Sequence, residues 1–188
     1  MKRRLMKTML FVAIGVALSM PGEVDSYDES VKRAYGYSNW CGRTRMDYPR
    51  LVRDWRFPDL AFPTNDLDTV VVDEGLEASR SFFVFRRDGR RHRELFGIDT
   101  EICSNIENAH GFIMRKFSYI TAPIRYQQVT NGIGDVLFYY RYPGDCDFAV
   151  FARNNVFVSI SSYMPSCPAT NIAKQVDVSI LRASGMEP

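Results

Sequence analysis

The chain predicts an α+β fold: an antiparallel sheet of about six strands with two helices packed on one face, preceded by an aromatic-rich arm. Three observations lead there. Short β-branched and aromatic runs separated by tight-turn dipeptides begin near residue 67. Two amphipathic helical stretches follow such runs, one in mid-chain and one at the end. The order hairpin–helix occurs twice, which reads as two halves of like plan. With 188 residues, 46% of them hydrophobic and 13% aromatic, the chain fills one sizeable core.

Residues 1–19 stand apart from that domain. Lys2, Arg3, Arg4 and Lys7 precede an apolar run from Thr8 to Met20, which is 13 residues against the roughly 20 of a membrane-spanning helix. This predicts a secretory signal peptide cut after Ser19, with Ala17 at −3, or else near Gly22. An uncleaved amino-terminal anchor is the alternative. Export predicts a periplasmic or secreted protein with no stable membrane span once the leader is gone. It also changes the charge. Taking the leader's four cations from 24 leaves 20 against 22 acids, so the exported chain is net −2 and the apparent pI of 8.3 belongs to the leader. Overall charge therefore gives nucleic-acid binding no support.

Residues 20–66 lack periodicity and carry Tyr35, Tyr37, Trp40, Tyr48, Trp55, Phe57 and Phe62 among Pro49, Pro58 and Pro63. Prolines remove backbone donors and disfavour helix just before them, so this is an extended arm packing its rings on the body. A short helix is expected only near Tyr48–Trp55. The domain proper, residues 67–188, opens with Thr69–Val72, a β-branched strand. Ser81–Arg87 and Arg90–Ile98 flank Asp88-Gly89, a type I′ hairpin signal that sets Phe82 opposite Leu95, Val84 opposite Arg93 and Phe85 opposite His92. The second strand extends toward Ile102.

Ser104 and Glu107 form a capping box ahead of a helix with Ile106, Ala109, Ile113, Phe117 and Ile120 on one face, ended by Pro123. A short strand at Ile124–Val129, a turn at Asn131–Asp135 and strands Val136–Arg141, Phe148–Arg153 and Val156–Ser162 follow. The last two are joined at Asn154-Asn155. A final helix after Pro168 carries Ala169, Ile172, Ala173, Val176 and Ile180 at helical spacing.

Cys41, Cys103, Cys146 and Cys167 form an even set in an exported chain, which predicts two disulfides rather than a metal site. Three connectivities exist. A two-residue turn sets Cys146 opposite Tyr163, and a reversal through Met164-Pro165-Ser166 returns Cys167 toward it. This favours Cys146–Cys167, with Cys41–Cys103 pinning the arm.

Gly134-Asp135, then Phe148-Ala149-Val150-Phe151-Ala152-Arg153-Asn154-Asn155-Val156-Phe157-Val158, then Ile172-Ala173-Lys174-Gln175-Val176-Asp177 resemble a pattern in small exported bacterial proteins of uncharacterised function. The matching residues cover about a quarter of the exported chain and are mostly core. The element order is also similar to the antiparallel α+β sandwich of the photosystem II accessory protein PsbP and its relatives. The resemblance implies a fold and transfers no catalytic residue.

The strongest local charge lies at Arg86, Arg87, Arg90, Arg91 and Arg93, five arginines on one hairpin beside Asp88 and Glu94. Guanidinium groups pair bidentately with carboxylate and phosphate, so the hairpin is the candidate contact for an anionic surface component or an envelope protein. A solvated, aggregation-resistant strand pair is the competing reading. His110 sits near the apolar face of its helix and reads as a buried, hydrogen-bonded side chain. Asp145 and Asp147 flank Cys146 in a Pro-Gly-Asp turn, too few oxygens for a calcium cage. Asn131-Gly132-Ile133-Gly134 lacks the third glycine of a dinucleotide fingerprint. No nucleophile elbow occurs. The sequence thus predicts an exported, non-enzymatic binding domain with no catalytic residue, metal or cofactor. The alternative is a small secreted hydrolase assembled from distant residues around His110, an acid and a hydroxyl.

Overall fold

Alternating apolar residues on both parities of the last hairpin decide the architecture. The computed structural model describes residues 29–57, 69–76, 78–88, 91–119, 126–143 and 146–187. The leader, the Gly89-Arg90 tip, Pro123 and Asp145 lie outside them. The described elements are α1 (Glu29–Ala34), α2 (Tyr37–Trp40), β1 (Thr69–Leu76), β2 (Ser79–Asp88), β3 (Arg91–Ile102), α3 (Ile106–Ser118), β4 (Gln127–Val129), β5 (Val136–Tyr142), β6 (Cys146–Arg153), β7 (Val156–Ser162) and α4 (Ala169–Ala183). The class is α+β. Seven strands form one antiparallel sheet in the order β1-β2-β3-β7-β6-β5-β4.

The last strand of each half, β3 and β7, meets at the centre, with Ile98 opposite Ile160. The two helices do not share a face. Ala149, Phe151, Val156, Val158 and Ile160 pack with Ile172, Ala173, Val176 and Ile180 of α4. Val150, Ala152 and Phe157, of the other parity, pack with Ala109, Ile113, Met114 and Phe117 of α3. Neighbouring strand residues point to opposite sides of a sheet, so α3 and α4 cover opposite faces of β6 and β7. The correction has a direct cause: these strands are apolar at both parities, and both faces must leave water.

Three local expectations shift. The β2–β3 ribbon closes at Asp88 opposite Arg91, so Phe82 faces Ile98, Val84 faces Phe96 and Phe85 faces Glu94. Leu95 is the extra residue of a bulge between Val84 and Phe85, and the bulge lets Leu95 and Phe96 both be buried. The helix cap of α3 is Asn105, not Ser104: its side chain accepts from the Asn108 amide at 2.7 Å, while Ser104 bonds the Asn108 side chain at 2.8 Å. Residues 48–55 form no helix, because Val52 turns both its backbone groups to a side chain across the arm (below).

The four cysteines are unbonded thiols, and neither expected disulfide is formed. The β6–β7 register, continued by one pair beyond Asp147 opposite Ser162, does set Cys146 opposite Tyr163. However, Cys146 shares the parity of Phe148 and Val150 on the α3 side, whereas Cys167 is buried in the α4-side core. The sheet itself separates them. Cys103 directs its thiol at the Glu101 carbonyl, 3.9 Å away, and Cys41 bonds Tyr37. Burial pushes the thiols of Cys41 and Cys167 up and that of Cys103 to about 12, so none of these three is an activated thiolate.

Candidate functional site

The arm packs on both faces and so must cross one end of the sheet. Trp40 is buried with α3, its indole donating to the Tyr35 carbonyl at 2.8 Å. Val52 and Trp55 are buried with α4, where the Trp55 indole donates to Ser179 at 3.0 Å. Between them the strap passes over the β6–β7 turn. A hairpin tip is normally wet, yet Asn154 is 0% exposed and Asn155 2%. Asn154 takes the left-handed conformation the turn requires, at φ 54°, which asparagine tolerates better than most residues.

Both asparagines bind the strap through its backbone. Asn155 accepts from the Val52 amide at 2.7 Å and donates to the carbonyls of Val52 at 2.8 Å and Cys103 at 2.6 Å. Asn154 donates to the Arg50 carbonyl at 2.8 Å and to Ser184 at 2.9 Å. Replacing Asn155 by Ala leaves three buried backbone groups without these partners. The expected loss is about 2 kcal/mol of unfolding free energy in urea, with faster proteolysis of the arm.

Beneath the strap lies the densest polar cluster. Arg153, 1% exposed, holds Asp177 of α4 through two bonds, Nε to Oδ1 at 2.6 Å and Nη2 to Oδ2 at 2.8 Å. Nη2 also donates to the Gly132 carbonyl at 2.9 Å. Asp135 stands 3.6 Å from Nη1 and accepts from Tyr48 at 2.6 Å and from the Asn154 amide at 2.9 Å. Burial pushes Asp135 above the usual carboxylate range, against the Tyr48 bond and the Arg153 charge. Burial opposes the charge of Arg153, but the Asp177 bonds outweigh it and hold the guanidinium above its ordinary range. Gly134 completes the cradle at φ 66°, its amide donating to Asp177 at 3.1 Å; a Cβ there would lie 2.8 Å from the Ala152 carbonyl. Arg153, Asp135 and Asp177 are each engaged by other groups of the cluster, which locks strap, sheet and helix together.

His110 is fully buried on α3. Its Nδ1 accepts from the Gly42 amide at 3.1 Å, and its ring meets Trp40 edge-on at 5.7 Å. Nε2 has no hydrogen-bond partner among the described residues, and burial lowers the pKa to about 4. At Nδ1 it is the Gly42 amide of the arm, and not an acid, that meets this ring. Asp147 is buried too, accepting from the Ala169 amide at 3.0 Å and from Tyr139 at 3.0 Å; burial raises its pKa first, against both bonds. It caps α4, whose own cap residue, Pro168, makes no side-chain bond. Among the described residues no group of three or more His, Cys, Asp or Glu is placed to hold a metal.

The arginine hairpin sits at the other end of the sheet. Ile102 pairs with Val156 beside the strap, and the last β3–β7 pair toward the ribbon tip is Phe96 with Ser162. Beyond it β2 and β3 run on past β7, with β1 still paired to β2 as far as Thr69 opposite Arg86, and Arg86 stands opposite Arg93, Arg87 opposite His92 and Asp88 opposite Arg91. Arg90 lies outside the described residues. The ribbon therefore gathers the predicted arginines on one projection, while the Arg153 cluster and the strap, which hydropathy alone does not single out, occupy the opposite end. Two signals mark that cluster: Arg153 continues the parity of Ala149 and Phe151, and Asp177 follows Ala173 by four on the apolar stripe of α4. Among the described residues no helix is long and apolar enough to cross a membrane. Compared with protein-family models, curated proteins and solved structures, the chain matches none.

Proposed function

We propose that this protein is an exported domain that works by binding rather than catalysis, with the β2–β3 ribbon contacting an anionic surface component or an acidic envelope protein. The observation carrying this reading is the register that projects the arginine-bearing segments of β2 and β3 past the last β3–β7 pair. Concentrated cations on a projecting ribbon repel one another, and an anionic partner relieves that repulsion. The buried polar groups support the reading from the other side. His110, Asp135, Asp147, Arg153 and Asp177 are all engaged in holding the arm and helices.

The test is capture from envelope extract with the wild-type chain and with an Arg90→Ser, Arg91→Ser, Arg93→Ser variant. The wild type is expected to retain components that the variant loses, and raised salt should weaken retention. Recovery of the same proteins and lipids by both chains refutes the ribbon as the contact surface.

A further inference from the structure

The strap carries a second basic surface, independent of the ribbon. Residues 43–56 contain Arg43, Arg45, Arg50, Arg53 and Arg56 against Asp47 and Asp54, and all seven are exposed. Arg50 bonds the Ala183 carbonyl at the end of α4, 3.1 Å away. The guanidinium groups of Arg43, Arg45, Arg53 and Arg56 have no hydrogen-bond or ion-pair partner among the described residues. Between these arginines stands Leu51, a large apolar side chain 40% exposed, while Met46 turns its sulfur inward to Arg153 Nη1 at 3.9 Å.

We infer that this strap docks the protein on an anionic lipid surface, arginines at the headgroups and Leu51 dipping below them. Charge sign and distribution argue for this occupant. The cations are spread along an extended segment, which suits a plane of negative charge better than a single anion, and an apolar tip set among cations suits the headgroup–acyl boundary. The strap is also ordered before it docks. Val52 and Trp55 are buried beneath it and Asn154 and Asn155 hold its backbone, so little conformational freedom is lost on binding. Docking by this end turns the β2–β3 ribbon away from the membrane.

The experiment uses the full chain with Leu51→Trp as a local reporter and vesicles whose acyl chains carry bromine. The chain's own tryptophans, Trp40 and Trp55, are buried, so quenching reports the side chain at position 51. Vesicles rich in phosphatidylglycerol should quench the reporter, and pure phosphatidylcholine vesicles should not. Adding Arg43→Ser, Arg45→Ser, Arg53→Ser and Arg56→Ser should weaken binding by at least about fifty-fold, while leaving Arg50 on α4 and an unchanged melting curve. The Arg90, Arg91, Arg93 to Ser variant should quench like its parent, which separates this inference from the ribbon proposal. No quenching by anionic vesicles, equal quenching by neutral ones, quenching that survives the four strap substitutions, or quenching lost with the ribbon arginines each overturns it. Arginine-dependent retention on heparin without quenching overturns it too, reassigning the strap to a soluble polyanion.

Discussion

Replacing Asp177 by Ala is expected to cost about 3–5 kcal/mol of unfolding free energy, the largest effect of any single substitution considered for this protein. The reason is the cation left behind. Arg153 is 1% exposed and loses its two shortest bonds, at 2.6 and 2.8 Å. Asp135 stands 3.6 Å away but is already engaged by Tyr48 and the Asn154 amide. The Gly134 amide also loses its acceptor. Equilibrium urea unfolding checks the magnitude; a loss below about 1 kcal/mol would mean that Arg153 reaches water or another acceptor. Tyr48→Phe, which removes one hydroxyl from the same cluster, should cost much less, about 1 kcal/mol.

The second large effect is a pH dependence centred on His110. Burial lowers its pKa from 6.5 to about 4, so between those values the unfolded chain takes up a proton that the folded chain refuses. The folded-state value is depressed; the contribution of His110 is therefore whole above pH 6.5 and is lost as pH falls toward 4. The loss amounts to about 3 kcal/mol. Gly42 and the Trp40 ring face the imidazole, and neither supplies a negative charge to hold a proton there. Glu94, Glu101, Asp135 and Asp147 act in the opposite sense. Burial raises their pKa values, so their contribution grows as pH falls. A His110→Asn chain isolates the histidine, because the carboxylates are common to both and the amide oxygen still accepts from Gly42. Unfolding curves from pH 7.5 to 4 should show wild type losing about 3 kcal/mol relative to the variant. A constant difference would mean that His110 does not titrate in this window.

Elements were legible wherever propensity and turn chemistry within the element itself marked its ends. Val156–Ser162 is the strand its alternation predicts, and Ala169 begins the helix predicted behind Pro168. The β2–β3 register was not legible. Asp88-Gly89 is a good turn signal, but the bulge at Leu95 follows from burying Leu95 and Phe96 together, which is a tertiary demand. The cap of α3 moved by one residue because the Asn105 side chain takes the Asn108 amide, while Ser104 bonds the Asn108 side chain.

The candidate sites divide the same way. The ribbon arginines are conspicuous because five of them fall between residues 86 and 93. The Arg153 cluster was hidden because periodicity assigns polar residues to the solvent side, and Arg153, Asp135 and Asp177 become stable indoors only through one another. Strap and turn are about a hundred residues apart in sequence, and no local pattern predicts that Asn155 would hold Val52.

What the sequence determined by itself was the α+β class, the strands of the second half, both long helices and the basic ribbon. Each follows from local periodicity and turn chemistry, where neighbours in the chain carry the information. Tertiary structure decided the rest. Helices on opposite faces follow from strands apolar on both sides, and unbonded cysteines follow from a sheet between Cys146 and Cys167. The buried hairpin tip follows from an arm that passes over it and pairs the backbone groups of Arg50 and Val52 with Asn154 and Asn155. Those outcomes depend on which surfaces meet, and a chain read residue by residue does not contain its own contacts.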